Sequence, residues 1–468
     1  MNLNYKPLLV LVITVFLIGC KNRSQVTVTG KITEKNKVWL HTLPVNSNIF
    51  TGFKDTIKNI DTLGNFEFVT EVKNPAFISI WNMGSKTKAK FLVEPGNKYE
   101  VTETENGIVI TGKNEKGNNL YTTFPNPAHV QIETRPFWKA SPQEIHDKIA
   151  ELKQSDVQKL DELLELKDIS QTFYNAVKTD RDCYYAALET EALAVNIFSM
   201  DSTGDKQAVL EKMKVVYDQY PPNNNEYVSS SFWEHYAERY VNTYLLYTQE
   251  DYSDQELIKL YEQGKYITHI VNEAKKVFTG EKLEFFIATL LFKEAYQKQY
   301  QKELITLFND FKATYPESKY SVFIEPLIHE IVKYYEVIDS PFDPSVVFME
   351  NYENINTLDE ALAPFKGKKV YVDVWATWCG PCKQQFEKDK EKVKKLAEEG
   401  TQILYISIDD DRREKQWKEM IKFYGLSGYH IRANKTLDSD LRRVYNKDGA
   451  IVIPWNIWIN ENGEQGEK

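Results

Sequence analysis

The run Val372-Asp373-Val374-Trp375-Ala376-Thr377-Trp378-Cys379-Gly380-Pro381-Cys382-Lys383 passes from an apolar strand pattern into a helix through two closely spaced cysteines. A Cys-x-x-Cys pair is either half a zinc site or a redox pair. Zinc needs four ligands, and no second C-x-x-C, C-x-x-H or close His pair follows among seven scattered histidines, so no metal is expected. The strand–turn–helix context favours redox chemistry. The pattern predicts a strand over Lys369–Trp375, a helix over Pro381–Glu398 and a strand over Gln402–Ile408. Their continuous Val, Tyr and Ile runs suit a parallel sheet buried on both faces. Cys379 then sits where unpaired helix N–H groups and the helix dipole stabilise a thiolate. Pro381 in the first turn costs no hydrogen bond, and Cys382 faces Cys379 across that turn. The Lys/Glu-rich helix over 383–399 reads as a solvated face.

Moving outward, Ser340-Pro341-Phe342-Asp343-Pro344 punctuates the start of this α/β segment, placed at 345–468. Before it, 141–340 reads as a helical domain, with runs at Gln143–Lys167, Phe173–Met200, Leu257–Phe278 and Phe285–Thr314. Phe232, Trp233, Tyr236, Tyr240, Tyr244 and Tyr247 recur at helical spacing and mark a core face rather than a partner groove. Cys183, alone on a helix, reads as a small buried hydrophobe. Residues 115–140, with Pro125, Pro127 and Pro136, read as a linker. Residues 25–114 read as a small β-rich, sandwich-like domain, from the alternation at Val26–Ile32, Asn65–Val69 and Ala76–Ile80 and the Glu94-Pro95-Gly96-Asn97 turn.

The 468-residue length fits a multidomain chain, and a hydrophobic content of 42% supplies ample core material. A formal charge of −10 with no basic stripe argues against nucleic-acid binding. Near the N-terminus, Lys6 precedes the apolar run Leu8–Ile18, too short for a membrane span and suited to a secretory signal over 1–19. The run ends in Leu17-Ile18-Gly19-Cys20, which resembles the bacterial lipobox; the alternative is a short signal peptide with a coincidental cysteine. The resemblance implies acylation of Cys20 and an envelope protein lipid-anchored to a membrane, the outer membrane before the inner.

From about 345 onward, Trp375–Cys382, Ile406-Ser407-Ile408-Asp409, Trp417 and Asp448-Gly449-Ala450-Ile451-Val452-Ile453-Pro454 together resemble the TlpA/ResA-like thioredoxin-fold oxidoreductases of the AhpC/TSA–thioredoxin superfamily. The β-rich segment is similar to the domain that precedes such modules in Bacteroidetes envelope lipoproteins. The resemblance implies a thiol-disulfide oxidoreductase with no cofactor beyond the Cys379–Cys382 disulfide, Cys379 attacking and Cys382 resolving. It implies that Asp373 moves the proton of the buried cysteine, that Pro454 is a cis-proline facing the pair, and that Trp378, Gly380, Pro381, Ile453 and Pro454 receive the substrate strand. Disulfide-containing envelope proteins are the expected substrates, in cytochrome c maturation or disulfide repair, with electrons from a membrane-borne donor. Two departures stand out: Tyr405 or Ser407 replaces the lysine that thioredoxin keeps near its carboxyl, and the usual edge strand and closing helix are expected to be missing at the C-terminal end, so that either the module is shortened or the helical domain covers the exposed sheet. The competing readings are a non-catalytic scaffold lipoprotein and a peroxide-reducing relative, whose Pro-x-x-x-Thr-x-x-Cys motif is not reproduced here.

Overall fold

The computed structural model describes residues 24–31, 38–41, 50, 56–58, 61–82, 88–105, 107–199, 206–249, 254–446 and 450–466. Cys20 and the apolar run Leu8–Ile18 lie outside them, as do Asp448 and Gly449. The chain divides into two compact units, Met1–Thr248 and Gln249–Lys468.

The first unit opens with strands β1 (Gln25–Lys31), β2 (Val38–His41), β3 (Thr56–Lys58), β4 (Asn65–Glu71), β5 (Ala76–Asn82), β6 (Lys88–Val93), β7 (Lys98–Thr104) and β8 (Gly107–Gly112). They form two four-stranded sheets, ordered β4-β1-β7-β8 and β3-β2-β5-β6. The alternation read in the sequence is the alternation of burial: Val26, Val28, Phe66 and Phe68 point into one apolar cluster with Ile78, Ile80, Phe91 and Val101 from both sheets. The helices α1 (Glu115–Thr123), α2 (Pro142–Glu165), α3 (Gln171–Ser199), α4 (Lys206–Gln219), α5 (Trp233–Arg239) and α6 (Leu246–Thr248) complete this unit, with a π-helical turn at Tyr240–Leu245.

The segment expected as a linker over 115–140 is instead packed structure. Tyr121 and Phe124 join Phe77, Leu92 and Phe173 in a second apolar cluster. The buried Asn118 side chain accepts from the Leu92 N–H at 2.9 Å and donates to the Leu92 carbonyl at 3.1 Å, which stitches α1 to β6. The aromatic stripe is core where it begins, with Phe232, Trp233 and Tyr236 buried, and Tyr217 packs against Tyr236, Tyr240 and Tyr244. Cys183 is buried and unpaired.

The helical stretch expected as one domain over 141–340 is shared between the units. Its second part, α7 (Asp254–Glu262), α8 (Tyr266–Val277), α9 (Gly280–Tyr296), α10 (Glu303–Thr314) and α11 (Ser321–Val337), belongs with the α/β segment. The uninterrupted runs expected at Leu257–Phe278 and Phe285–Thr314 are each two helices. Gly264 takes the left-handed conformation at the first break, while Lys298 and Tyr300 take it at the second, without a glycine.

The α/β segment comprises β9 (Val346–Phe348), α12 (Leu358–Leu362), β10 (Val370–Trp375), α13 (Gly380–Glu398), β11 (Gln402–Ser407), α14 (Glu414–Tyr424), β12 (Gly428–Arg432), α15 (Lys435–Tyr445), β13 (Trp455–Ile459) and β14 (Gln465–Gly466). The six strands are ordered β14-β13-β10-β11-β12-β9. β10, β11, β12 and β9 pair in parallel, and β13 and β14 are antiparallel additions. The edge strand expected to be missing is therefore present, over two residues. β10 is buried throughout, as its apolar run requires.

Candidate functional site

Each cysteine is placed by a simple local rule. β10 ends at Trp375, the backbone turns with the Cys379 N–H donating to the Ala376 carbonyl at 3.0 Å, and α13 begins. Cys379 is the N-cap of that helix, in extended conformation, and its Sγ accepts from the Cys382 N–H at 3.1 Å. The sulfur thus takes the capping position usually held by Ser or Asp, where the helix terminus favours negative charge. Pro381 occupies the first turn. Cys379 and Cys382 are joined in a disulfide with Cα atoms 5.3 Å apart, both nearly inaccessible. Trp378 beside them is 48% exposed. A Cβ at Gly380 would meet open space, so the surface over the pair is unobstructed there.

The Ile453–Pro454 peptide bond is cis. Because β13 runs antiparallel to β10 with Trp455 opposite Val374, Pro454 lies at the end of the sheet from which Cys379 emerges. The structure thus brings the cysteine pair, Trp378, Gly380, Pro381 and the Ile453–Pro454 bond to one end of one sheet.

Asp373 lies inside β10, opposite Tyr405 on one side and Asn456 on the other. It is 2% exposed, and its Oδ1 has no hydrogen-bond partner among the described residues. Burial first, and the Asp389 carboxylate second, push its pKa up to about 7, against the pull of Lys392. A cavity of about 360 Å³ adjoins it, lined by Tyr371, Gln385, Asp389, Tyr405 and Tyr424 among others. Tyr405, not Ser407, is the strand neighbour of this carboxyl. Ser407 donates instead to Asp409 at 2.7 Å.

Sequence reasoning did not single out a second buried polar group around Thr377. The Asp409 carboxylate accepts from the Thr377 N–H and from its hydroxyl, each at 2.8 Å. Arg413 donates to the same hydroxyl oxygen at 3.2 Å. Lys383 is buried as well, so the helix expected to be solvated from 383 onward hides its first lysine completely. The sequence signal, in retrospect, is position: Lys383 follows Cys382 within the first turn of α13, where side chains lean back toward the helix N-terminus.

A parallel sheet with a disulfide at a strand-to-helix turn and a cis-proline bond at the same end defines a thioredoxin-fold redox domain. Residues 340–464 match the Redoxin family model, and this C-terminal region is similar to thiol-disulfide oxidoreductases of the ResA type. The chain is 30% identical over 103 residues to the thiol-disulfide oxidoreductase ResA of Bacillus thuringiensis subsp. konkukian, covering 22% of this chain and 55% of that protein. It is 27% identical over 112 residues to ResA of Bacillus subtilis, covering 24% and 58%. The chain therefore spans about half the length of the curated relatives it matches. Among solved structures, a putative thiol-disulfide oxidoreductase from Bacteroides vulgatus is 31% identical, with 22% of this chain and 64% of that chain covered and a TM-score of 0.18.

Proposed function

We propose that this protein is an extracytoplasmic thiol-disulfide oxidoreductase that reduces protein disulfides. One observation carries the reading: the Cys379 sulfur caps α13 and accepts the Cys382 N–H, inside a matched redoxin domain. In the reduced protein the Cys379 thiolate attacks one sulfur of a substrate disulfide and expels the other as a thiolate. The Cys382 thiolate then attacks the Cys379 sulfur, releasing the second substrate thiol and leaving the Cys379–Cys382 disulfide. Two electrons have passed to the substrate, and a membrane-borne thiol donor must return them. Asp373, buried and carrying an unpaired oxygen, accepts the Cys382 proton during resolution. Trp378, Gly380, Pro381 and the Ile453–Pro454 backbone receive the substrate strand. Further parts of the proposal are anchoring through lipid on Cys20, disulfide-bearing envelope proteins of the cytochrome c maturation or repair class as substrates, and a sandwich-like character for the two N-terminal sheets. Among the described residues no helix is long and apolar enough to cross a membrane.

Insulin reduction by dithiothreitol, followed as turbidity, tests the reaction. The intact chain should accelerate precipitation and Cys379→Ser should not. Equal rates for the two would leave the redoxin module as a non-catalytic scaffold.

A further inference from the structure

The Lys383 ammonium has a full set of acceptors in an unexpected place. It donates to the Thr377 carbonyl at 2.8 Å and to the carbonyls of Gln297 and Lys298 at 2.9 Å each. Three acceptors exhaust the three donors of an ammonium, which is what keeping that charge out of water requires. Two of the three come from the loop between α9 and α10, the loop in which Lys298 and Tyr300 adopt left-handed backbone conformations. Conformations of that kind persist only where the surroundings over-determine them.

The loop is held from several sides. The Lys298 ammonium pairs with Glu387 of α13 at 2.6 Å and with Glu330 of α11 at 3.0 Å. The Gln416 side chain of α14 donates to the Gln299 carbonyl at 3.2 Å. The Tyr300 hydroxyl meets that of Tyr424, and Gln299 reaches the Thr377 carbonyl at 3.5 Å. Thr377 is thus fixed on its N–H and hydroxyl by Asp409 and on its carbonyl by Lys383, two residues before Cys379. An elongated apolar side chain at 383 would fill the same space, yet it would leave the Gln297 and Lys298 carbonyls without their donor.

We propose that Lys383 is a positioning residue of the redox site, tying the α9–α10 loop to the Cys379 turn and placing a positive charge on the Thr377 carbonyl, two residues before the nascent thiolate. A buried cation near a thiol favours its ionised form, in a setting where water screens little. Burial, then the Arg413 and Lys298 cations, depress the Lys383 pKa to about 7, against Asp409 and Glu330. The helical segment α7–α11 is therefore part of the catalytic apparatus through its loop, and the redoxin domain is incomplete without it.

The inference rests on the redox reading of Cys379, and its test is separable from that reading because alkylation needs a thiol but no turnover. Reduced full-length chain is treated with iodoacetamide across pH, and the Cys379 rate is read by mass spectrometry. Lys383→Met should slow alkylation roughly tenfold at a pH below the thiol pKa, a rise of about one pH unit, and should speed hydrogen exchange in 297–302. Lys383→Arg, which keeps the charge, should stay within about twofold of the parent. If the Met variant does not fold, Lys383→Gln, neutral but still a donor, decides on the same readout. A lowered melting temperature with an unchanged alkylation profile and unchanged loop exchange would overturn the proposal and leave Lys383 as a space-filling residue. Loss of insulin reduction in the parent, with the alkylation difference intact, would remove the redox reading instead.

Discussion

Replacing Asp373 by Asn keeps the shape of the side chain and removes its titration, so the cost of the buried carboxylate becomes measurable. Its pKa stands at about 7 against an ordinary 3.8. At about 1.4 kcal/mol for each pH unit, the rise amounts to roughly 4 kcal/mol of penalty on the charged form. The direction follows from proton counting. Between pH 3.8 and about 7 the folded chain holds a proton on Asp373 that the unfolded chain has released. Stability therefore falls as pH rises through that window, and the full penalty stands above about pH 7. Asp373→Asn should leave stability near pH 4 almost unchanged and raise it by up to roughly 4 kcal/mol at pH 8. Because the chain has two units, one overall transition is not assumed. Pulse proteolysis in urea, read on fragments containing β10, follows the unit that carries Asp373. A stability gain equal at pH 4 and pH 8, or a loss at pH 8, would refute the reasoning, since either outcome means that the carboxylate is not penalised where it sits. The same variant should resolve mixed disulfides more slowly while Cys379 still attacks.

Other expectations follow from the site. In Cys382→Ser the mixed disulfide cannot be resolved, so gel-shifted adducts should accumulate and mass spectrometry should name the trapped substrates; a chain without reducible adducts would speak against disulfide exchange. With Gly380-Pro381 between the cysteines, equilibration in dithiothreitol buffers should give a potential nearer about −270 mV than the about −120 mV of strong oxidants, a gap of roughly 7 kcal/mol. A value near the latter would make the protein a disulfide donor. Cys20→Ser should move the protein from the membrane pellet to the soluble periplasmic fraction, and a parent chain already soluble would remove the anchor from the proposal.

The redox end of the molecule was legible because its residues act locally. Cys379, Pro381 and Cys382 sit in one turn whose chemistry depends on a strand ending and a helix starting, and both boundaries fall within about a residue of the expected ones. Alternation read over Val26–Ile32, of which Ile32 lies outside the described residues, and over Asn65–Val69 likewise maps onto strands β1 and β4 in antiparallel register. The parts that stayed hidden depend on residues distant in the chain. The break between α9 and α10 contains neither Gly nor Pro, so nothing local announces that Lys298 and Tyr300 turn left-handed. Tyr121 and Phe124 looked like linker residues because the apolar partners that bury them, Phe77 and Phe173, lie some fifty residues to either side. Lys383 was the hardest of all. Its neighbours Lys388, Lys390 and Lys394 are what a solvated helix face looks like, and two of the three carbonyls that hold its amine inward come from more than eighty residues upstream.

Two buried charged groups therefore bracket the disulfide in sequence, Asp373 on the strand that enters the turn and Lys383 on the helix that leaves it. They are maintained by opposite means. Lys383 has every donor satisfied, so its burial is compatible with the charged state. Asp373 has an unpaired oxygen beside a cavity, so its burial is compatible mainly with the neutral state. An apolar side chain at 383 would leave the Gln297 and Lys298 carbonyls without their donor, whereas one at 373 would remove a buried carboxyl whose Oδ1 has no partner among the described residues. On the redox reading proposed above, a carboxyl suited to taking up a proton and an amine that donates to the Thr377 carbonyl stand on either side of Cys379 and Cys382, whose sulfur atoms would gain and lose a thiolate in each cycle of disulfide exchange.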